Sequence, residues 1–423
     1  MAAFQAIWPL ALGIVVGLIV FKGIGPVVGG YYSKLMLIVG INIVLAVSLT
    51  VVNGFTGQFS LGHAGFMAVG GYAAAAILYY GSMKLWNTAD FVGGAASFTG
   101  VGEFDGPLLG KGDILFVVAC LIGGALAALA GYVVGLPSLR LRGDYLAIVT
   151  LGFGEIVRVL LQGTKDQIPP WNVADIAKVP VYKLPLMLGG PKGFNLLPPY
   201  TTLFWVYLTV ALTLVLVYRL KISSSGRAFL SIREDEIASQ AMGVNVTRYK
   251  VRAFVLSSFL AGVAGALYGL DIGAINAGEL GFQRSFDVII MVVLGGMGSI
   301  SGAALAAIIL SILPELLRNP PSVLWAGVPF FIIVLALQAT RRRWNYKSLA
   351  IIAILTALLE IGRIACIRNG INVADYRLIL YALMLILMMI LRPDGLFGVH
   401  EIWDYFGGEQ RKIARRVRKA GAP

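Results

Sequence analysis

An all-α polytopic membrane protein, with about ten to twelve transmembrane or re-entrant helices, is the fold class this sequence predicts. Three observations carry that expectation. Of 423 residues, 58% are hydrophobic and only 13% charged, whereas a soluble globular chain carries about 25% charged residues. Apolar stretches of spanning length recur along the chain, and the mean hydropathy is +0.84. Fifty-two glycines suit closely packed membrane helices, where small residues let backbones approach. The net charge of +13 sits in loops flanking the apolar stretches, as positive-inside anchors do. Nucleic acid is therefore not an expected partner.

The first apolar stretch, 5–21, has no Lys or Arg before it and Lys22 after it. A signal peptide has the reverse order, so the stretch is read as a retained span. Further spans are predicted near 35–52, 61–80, 114–136, 145–161, 202–218, 251–270, 323–339, 349–366 and 376–391. Cys120 and Cys366 lie inside apolar runs far apart in sequence and read as small buried hydrophobes, not as a disulfide or metal pair.

Charge then orients the chain. The 219–252 linker carries seven basic residues against Glu234, Asp235 and Glu236, whereas 81–113 has two Lys against four acids. The positive-inside rule places the first loop in the cytoplasm and the second outside. Arg341, Arg342, Arg343 and Lys347, and the basic tail at 398–423, form two more cytoplasmic clusters. Parity requires 286–317 to enter and leave on one side, as a hairpin broken near Gly295 and Gly296. These 32 residues are too few for two full spans, and broken backbone at membrane depth is tolerated only where protein or a water-filled cavity satisfies it. The glycine and alanine rhythm of 61–75 echoes that of 295–307, as an internal repeat would. The transmembrane domain runs over 1–397, and the basic tail reads as an interfacial anchor on anionic membrane lipid.

The longest polar interior stretch is 226–243, within a cytoplasmic loop at 219–250. It reads as a short amphipathic helix. Ile237, Ala238, Ala241 and Met242 share a face, Arg233, Glu234, Asp235 and Glu236 crowd the preceding turn, and Gly243 supplies the stop. A small-residue helix held outside the bilayer suits docking of a soluble partner. The chain has no P-loop: 105–112 lacks the first Gly at the needed spacing and the Ser or Thr after Lys. If nucleotide drives the protein, its site belongs to another polypeptide.

Other polar groups have two readings each. Asp144 lies at the cytoplasmic start of a span beside Gly143, and Glu155 and Arg158 lie within it on one helical face. They line or gate a pathway, or Glu155 and Arg158 form a mutual ion pair that fixes helix packing. His63 contacts substrate, or is a hydrogen-bonded structural residue at a helix entrance. The preceding Asn53, Gly57 and Ser60 stand in an uncharged, glycine-rich stretch suited to irregular backbone at a cavity. No residue set carries catalytic chemistry, and two histidines are too few for a histidine metal site.

Five blocks in order along the chain resemble the LivM family, one permease subunit of branched-chain amino acid ABC importers. They are 56–66 (TGQFSLGHAGF), 140–158 (RLRGDYLAIVTLGFGEIVR), 226–238 (GRAFLSIREDEIA), 293–299 (VLGGMGS) and 392–396 (RPDGL). The resemblance covers about 35–318 and 374–397. It implies a pathway shared with a homologous second permease, two cytoplasmic ATPase subunits that hold ATP and Mg, and an extracytoplasmic substrate-binding protein. No cofactor is implied in this chain. It also implies a multi-pass protein of the bacterial plasma (inner) membrane with a cytoplasmic C-terminus. The loop at 219–250 would dock on the ATPase through Arg227, Arg233, Glu234, Asp235, Glu236, Ala238, Ala241 and Gly243. The degenerate Glu-Ala-Ala…Gly pattern of such loops is only partly kept. Two departures stand out: a Pro-rich external loop at 163–200, and an insertion at 319–373 with two extra apolar segments. Permeases for urea, amides, nucleosides or sugars share the implied architecture. A standalone secondary transporter or channel, coupled through Glu155 and Arg158, and a pathway-free scaffold are the remaining alternatives.

Overall fold

The computed structural model describes residues 2–86, 111–138 and 144–318, with Ile386, Gly395, Gly398 and Glu401. The spans expected at 323–339, 349–366 and, Ile386 aside, 376–391 lie outside the described residues, as do the 319–373 insertion and almost all of the basic tail. The chain packs as two compact units, one comprising Met1–Ile308 with Asp394–Pro423 and the other Ile309–Pro393. Of the second unit, the described residues are a helix end at 309–318 and Ile386.

The described residues are helical throughout, apart from loops and one antiparallel bridge between Phe194 and Ile275. Among the described residues six helices are long and apolar enough to cross a membrane, and the chain is an all-α polytopic membrane protein. α1 (Ala2–Leu18) runs into a π-helical turn, Ile19–Ile24, and its apolar part, Leu10–Gly23, is shorter than the 5–21 span expected from sequence. α2 (Gly25–Leu49) is kinked at Gly29, whose φ of +76° suits a residue without Cβ, and continues as a π-helix over Thr50–Phe55. The crossing segment, Gly29–Phe55, is thus longer than the predicted 35–52. α3 (His63–Trp86), α4 (Lys111–Ser138), α5 (Asp144–Gln162), α7 (Leu203–Ile222) and α10 (Val246–Ile272) are the other long helices. Short helices α6 (Val173–Lys178), α8 (Ser224–Glu234) and α9 (Glu236–Ala241) lie in the loops.

The core is the mutual packing of α3, α4 and α10, with α2 against α10 and α1 against α7. Glycine makes the crossing possible. A Cβ on Gly262 of α10 would sit 2.5 Å from the Ala127 Cβ and 3.1 Å from the Gly123 carbonyl oxygen, both on α4. α5 turns Ile148, Ile156, Val159 and Leu160 outward, each at least 56% exposed. An apolar outer face of that kind suits lipid or another membrane subunit and not water.

The region expected to form a broken hairpin is broken where the glycines stand. α11 (Phe282–Gly295) stops at Gly296 and α12 (Ile300–Arg318) begins four residues later, with φ of +107° at both Gly296 and Gly298. α11 has 14 residues, too few to cross the bilayer. On the opposite side, the Pro-rich loop at 163–200 is tied to α3. Tyr79 and Tyr80 donate to the Ile168 and Met187 carbonyls at 2.8 and 2.6 Å, and Lys84 donates to that of Val179 at 2.5 Å.

Candidate coupling site at the helix breaks

The polar stretch read from sequence as one amphipathic helix is two. Ser223 caps α8 by accepting from the Gly226 N–H at 3.2 Å. At Asp235 the backbone turns extended (φ −157°), and its carboxylate caps α9 by accepting from the Ile237 and Ala238 N–H groups at 2.7 and 3.1 Å. Asp favours this position because its short side chain competes with helical bonding but satisfies orphan donors at a cap. Gly243, with φ +83°, ends the elbow, and Asn245 caps α10 through the Arg248 N–H at 3.0 Å.

The two helices face opposite ways. Phe229 and Ile232, three residues apart on α8, are buried, and Phe229 meets the Tyr249 ring edge-on at 6.0 Å. One face of α9 points away from the protein, while Ser239 on its other face is buried. Ile237 is 69% exposed and Met242 84%, with Ala238 and Ala241 also exposed. Of the charged residues expected on the surface of this loop, Glu234 is exposed, and Arg227 is exposed while donating to the Ile222 carbonyl at 3.3 Å. Glu236 pairs with the buried Lys250.

Arg233 turns inward. Its Nη1 donates to the Gly54 carbonyl at 2.9 Å and to the Met297 carbonyl at 3.1 Å, so one guanidinium ties the loop to both irregular segments. Those segments touch each other: a Cβ on Gly54 would lie 2.7 Å from the Gly298 nitrogen. Gly57, with φ +68°, lets the chain turn beneath Arg233, and a Cβ there would lie 3.3 Å from the Arg233 Cγ. Asn53 closes the loop after the π-turn by accepting from the Ser60 N–H at 3.2 Å. The stretch expected to be irregular over 53–60 is π-helical through Phe55 and non-helical from Thr56 to Gly62.

A second tie was not legible in the sequence. Lys221, at the end of α7, donates to the Gly298 carbonyl at 2.9 Å and to the Glu401 carboxylate at 2.6 Å. Glu401 also accepts from the Ile300 and Ser301 N–H groups at 3.0 and 2.9 Å and from the Ser301 hydroxyl at 2.6 Å. A carboxylate from beyond the last block thus caps α12 at its positive end. Burial pushes the Glu401 pKa up, but the bonds from Lys221 and Ser301 prevail and hold it below the usual carboxylate range. A carboxyl depressed on folding stabilises above its unfolded pKa, and that stability is lost as pH falls through the folded value. Glu401→Gln should lower the melting temperature at neutral pH, by an effect of order 3 kcal/mol for breaking a buried pair. It should also flatten the acid limb of a plot of melting temperature against pH. An unchanged acid limb would remove Glu401 as its source.

The remaining sequence candidates lie elsewhere. His63 is buried, and its Nε2 lies 2.8 Å from the Ser48 hydroxyl, which donates to the Leu45 carbonyl at 2.8 Å. Glu155 and Arg158 form an ion pair at 2.7 Å, and Glu155 accepts from the Phe282 N–H at 3.2 Å, anchoring the start of α11. Gly143 and the Asp144 side chain lie outside the described residues. Gly295 and Gly296 form the break itself: a Cβ on Gly295 would lie 2.5 Å from the Ala303 nitrogen, and one on Gly296 2.7 Å from the Gly398 nitrogen.

The family described as branched-chain amino acid transport system / permease component matches residues 31–389. The high-affinity branched-chain amino acid transport system permease protein LivM of Escherichia coli is 36% identical over 294 residues, 66% of this chain and 62% of that protein. The chain thus spans less than two thirds of that relative's length. A probable branched-chain amino acid transport permease protein LivM of Methanocaldococcus jannaschii is 26% identical over 297 residues, 67% of this chain and 81% of that one. LivH of Escherichia coli is 29% identical over 139 residues, 33% and 44% of the two chains. No solved structure matches.

Proposed function

The chain belongs to the branched-chain amino acid transport system / permease component family, and on that premise we propose that it is one permease subunit of an ATP-driven importer of hydrophobic amino acids. With a second, homologous permease it encloses the pathway. Two cytoplasmic ATPase subunits hold ATP and Mg, and an extracytoplasmic binding protein delivers substrate. The setting is a bacterial plasma membrane, with loop 219–250 and the C-terminus in the cytoplasm. The transmembrane domain is 1–397, with 319–373 an insertion and 398–423 a basic tail against anionic lipid.

One observation carries the reading: an elbow whose outer arm exposes Ile237 and Met242 while its inner helix is tied to two helix breaks. Exposed apolar side chains on a polar loop suit a partner surface. The ties beneath suit transmission: a push on α9 moves α8, and through it α7, α10 and the breaks. Alternating access then follows from two arrangements of a discontinuous helix around a midplane path.

The docking test is Ile237→Asp with Met242→Asp. Each change removes apolar area that contributes about 1.5–3 kcal/mol when buried and adds a charge. Recovery of the ATPase subunits with the solubilised double variant should fall at least roughly tenfold, with membrane insertion intact. Equal recovery with wild type and variant would sink the docking role. ATP-dependent uptake of L-leucine by the reconstituted complex tests the transport reading as a whole.

A further inference from the structure

Three of the membrane-crossing helices, α4, α7 and α10, wall a cavity of about 530 Å³, within the size range of small-ligand sites. It follows α7 from Trp205 to Arg219. Those 14 residue steps span about 21 Å at 1.5 Å per residue. That is more than half of a hydrocarbon core of roughly 30 Å, and so more than the depth of one leaflet. The rim is open, with Leu121 of α4 and Leu216 of α7 54% and 40% exposed.

The two ends differ in chemistry. Phe116 and Trp205 close one, both buried and with ring centroids 5.5 Å apart. Arg219 stands at the other, in the last turn of α7 beside the coupling loop. On α10, Phe259 lines the cavity, and Arg252 lies seven residues nearer the same loop on the same helix face. Arg252 is exposed, its guanidinium 5.5 Å from the Tyr249 ring centroid. Between the ends the wall is apolar, carried by Leu208, Leu212 and Val263. The Thr209 hydroxyl is turned to its own helix, donating to the Trp205 carbonyl at 2.9 Å.

We propose that this groove seats one acyl chain of an anionic phospholipid, with the phosphate at Arg219 and Arg252. An apolar cavity stays dry and accepts apolar molecules, and the medium beside an open groove on membrane spans is hydrocarbon. The floor of packed rings receives the end of the tail, which has no polar atom to satisfy. The opposite end supplies guanidinium groups, whose planar fork matches phosphate oxygens, and basic residues at the membrane surface attract anionic lipid. A soluble anion would use the arginines and leave the groove unfilled, so the occupant is one molecule with both a charge and a long apolar tail. The site is separate from the elbow and the helix breaks, and it stands whatever substrate the protein carries.

The probe is phosphatidylglycerol with a diazirine on one acyl chain, present as a minor component of phosphatidylcholine vesicles that hold the full-length chain with its co-purifying subunits. Irradiation should concentrate adducts on 208–216 and 259–267. Leu212→Trp, which fills the groove, should lower those adducts at least roughly tenfold relative to adducts elsewhere on the chain. Val263→Trp fills the groove from α10 and carries the same comparison should Leu212→Trp fail to insert. Arg219→Gln should reduce labelling by phosphatidylglycerol roughly fivefold, the effect of one basic residue at the membrane surface. Labelling by a phosphatidylcholine probe with the same chain should stay as it is, a split that a merely structural Arg219 would not produce. Adducts no denser in the groove than elsewhere, or unchanged in the filling variants, overturn the proposal. So does a groove that cross-links to another subunit in place of lipid, or equal labelling of wild type by the two lipid probes.

Discussion

Arg233→Gln in the reconstituted complex should yield ATP hydrolysis without proportionate uptake. The ratio of ATP hydrolysed to substrate imported should rise roughly tenfold or more, because two hydrogen bonds from a charged donor, each worth about 1.5–3 kcal/mol, are lost together. The expectation follows from where the guanidinium goes. It leaves α8 for the Gly54 and Met297 carbonyls, one residue before the end of the π-helical turn and within the break before α12. Without it the elbow still presents Ile237 and Met242 to a partner, but its movement reaches the breaks only through the Lys221 tie on α7. Arg233→Lys should rescue only in part, since a single ammonium on a flexible stem replaces a rigid fork. Uptake that stays proportional to hydrolysis in Arg233→Gln would assign Arg233 a role in folding alone.

Gly262→Leu should prevent the protein from assembling in the membrane at all. Its Cβ would already lie 2.5 Å from the Ala127 Cβ, and three further carbons cannot fit unless α10 and α4 separate. Overpacking typically costs 1–3 kcal/mol, and more where a whole helix pair must part. In a membrane, close packing of small residues is itself the main attraction between helices. Little full-length protein should be recovered in detergent, and what remains should be cleaved readily by added protease. Gly262→Ala, which adds one methyl against the same neighbour, should be milder. Wild-type yield and protease resistance for the Leu variant would mean that the α3–α4–α10 crossing is looser than the distances imply.

Much of this was legible in the chain. The apolar stretches mark the helices because a bilayer demands internal satisfaction of every backbone group, leaving few alternatives to a helix. The break at 295–299 was legible because four glycines and serines interrupt a segment too short to cross twice. The single helix drawn through 226–243 was the clearest error. Helical spacing persists across Asp235, so periodicity alone does not reveal that the carboxylate caps a new helix. Arg233 was legible as a residue of the coupling loop, but its bonds to the Gly54 and Met297 carbonyls were not. Lys221, Glu401, Asn42 and Arg284 gave no usable signal. Their hydrogen-bond partners lie from 77 to 242 residues away, and no local pattern encodes such a contact.

By itself the sequence determined that this is a multi-pass helical membrane protein, which loop concentrates basic residues, and where its backbone breaks. Those properties depend on transfer between water and lipid and on local backbone freedom, both of which are carried residue by residue. Only the tertiary structure decided which charges meet. Arg233 and Lys221 converge on one break from two helices, Glu401 closes it from beyond the last block, and Arg284 is held by Asn42 and Tyr268. At low dielectric such pairings contribute only when donors and acceptors meet within a few tenths of an ångström, and that precision comes from helices packed glycine to glycine.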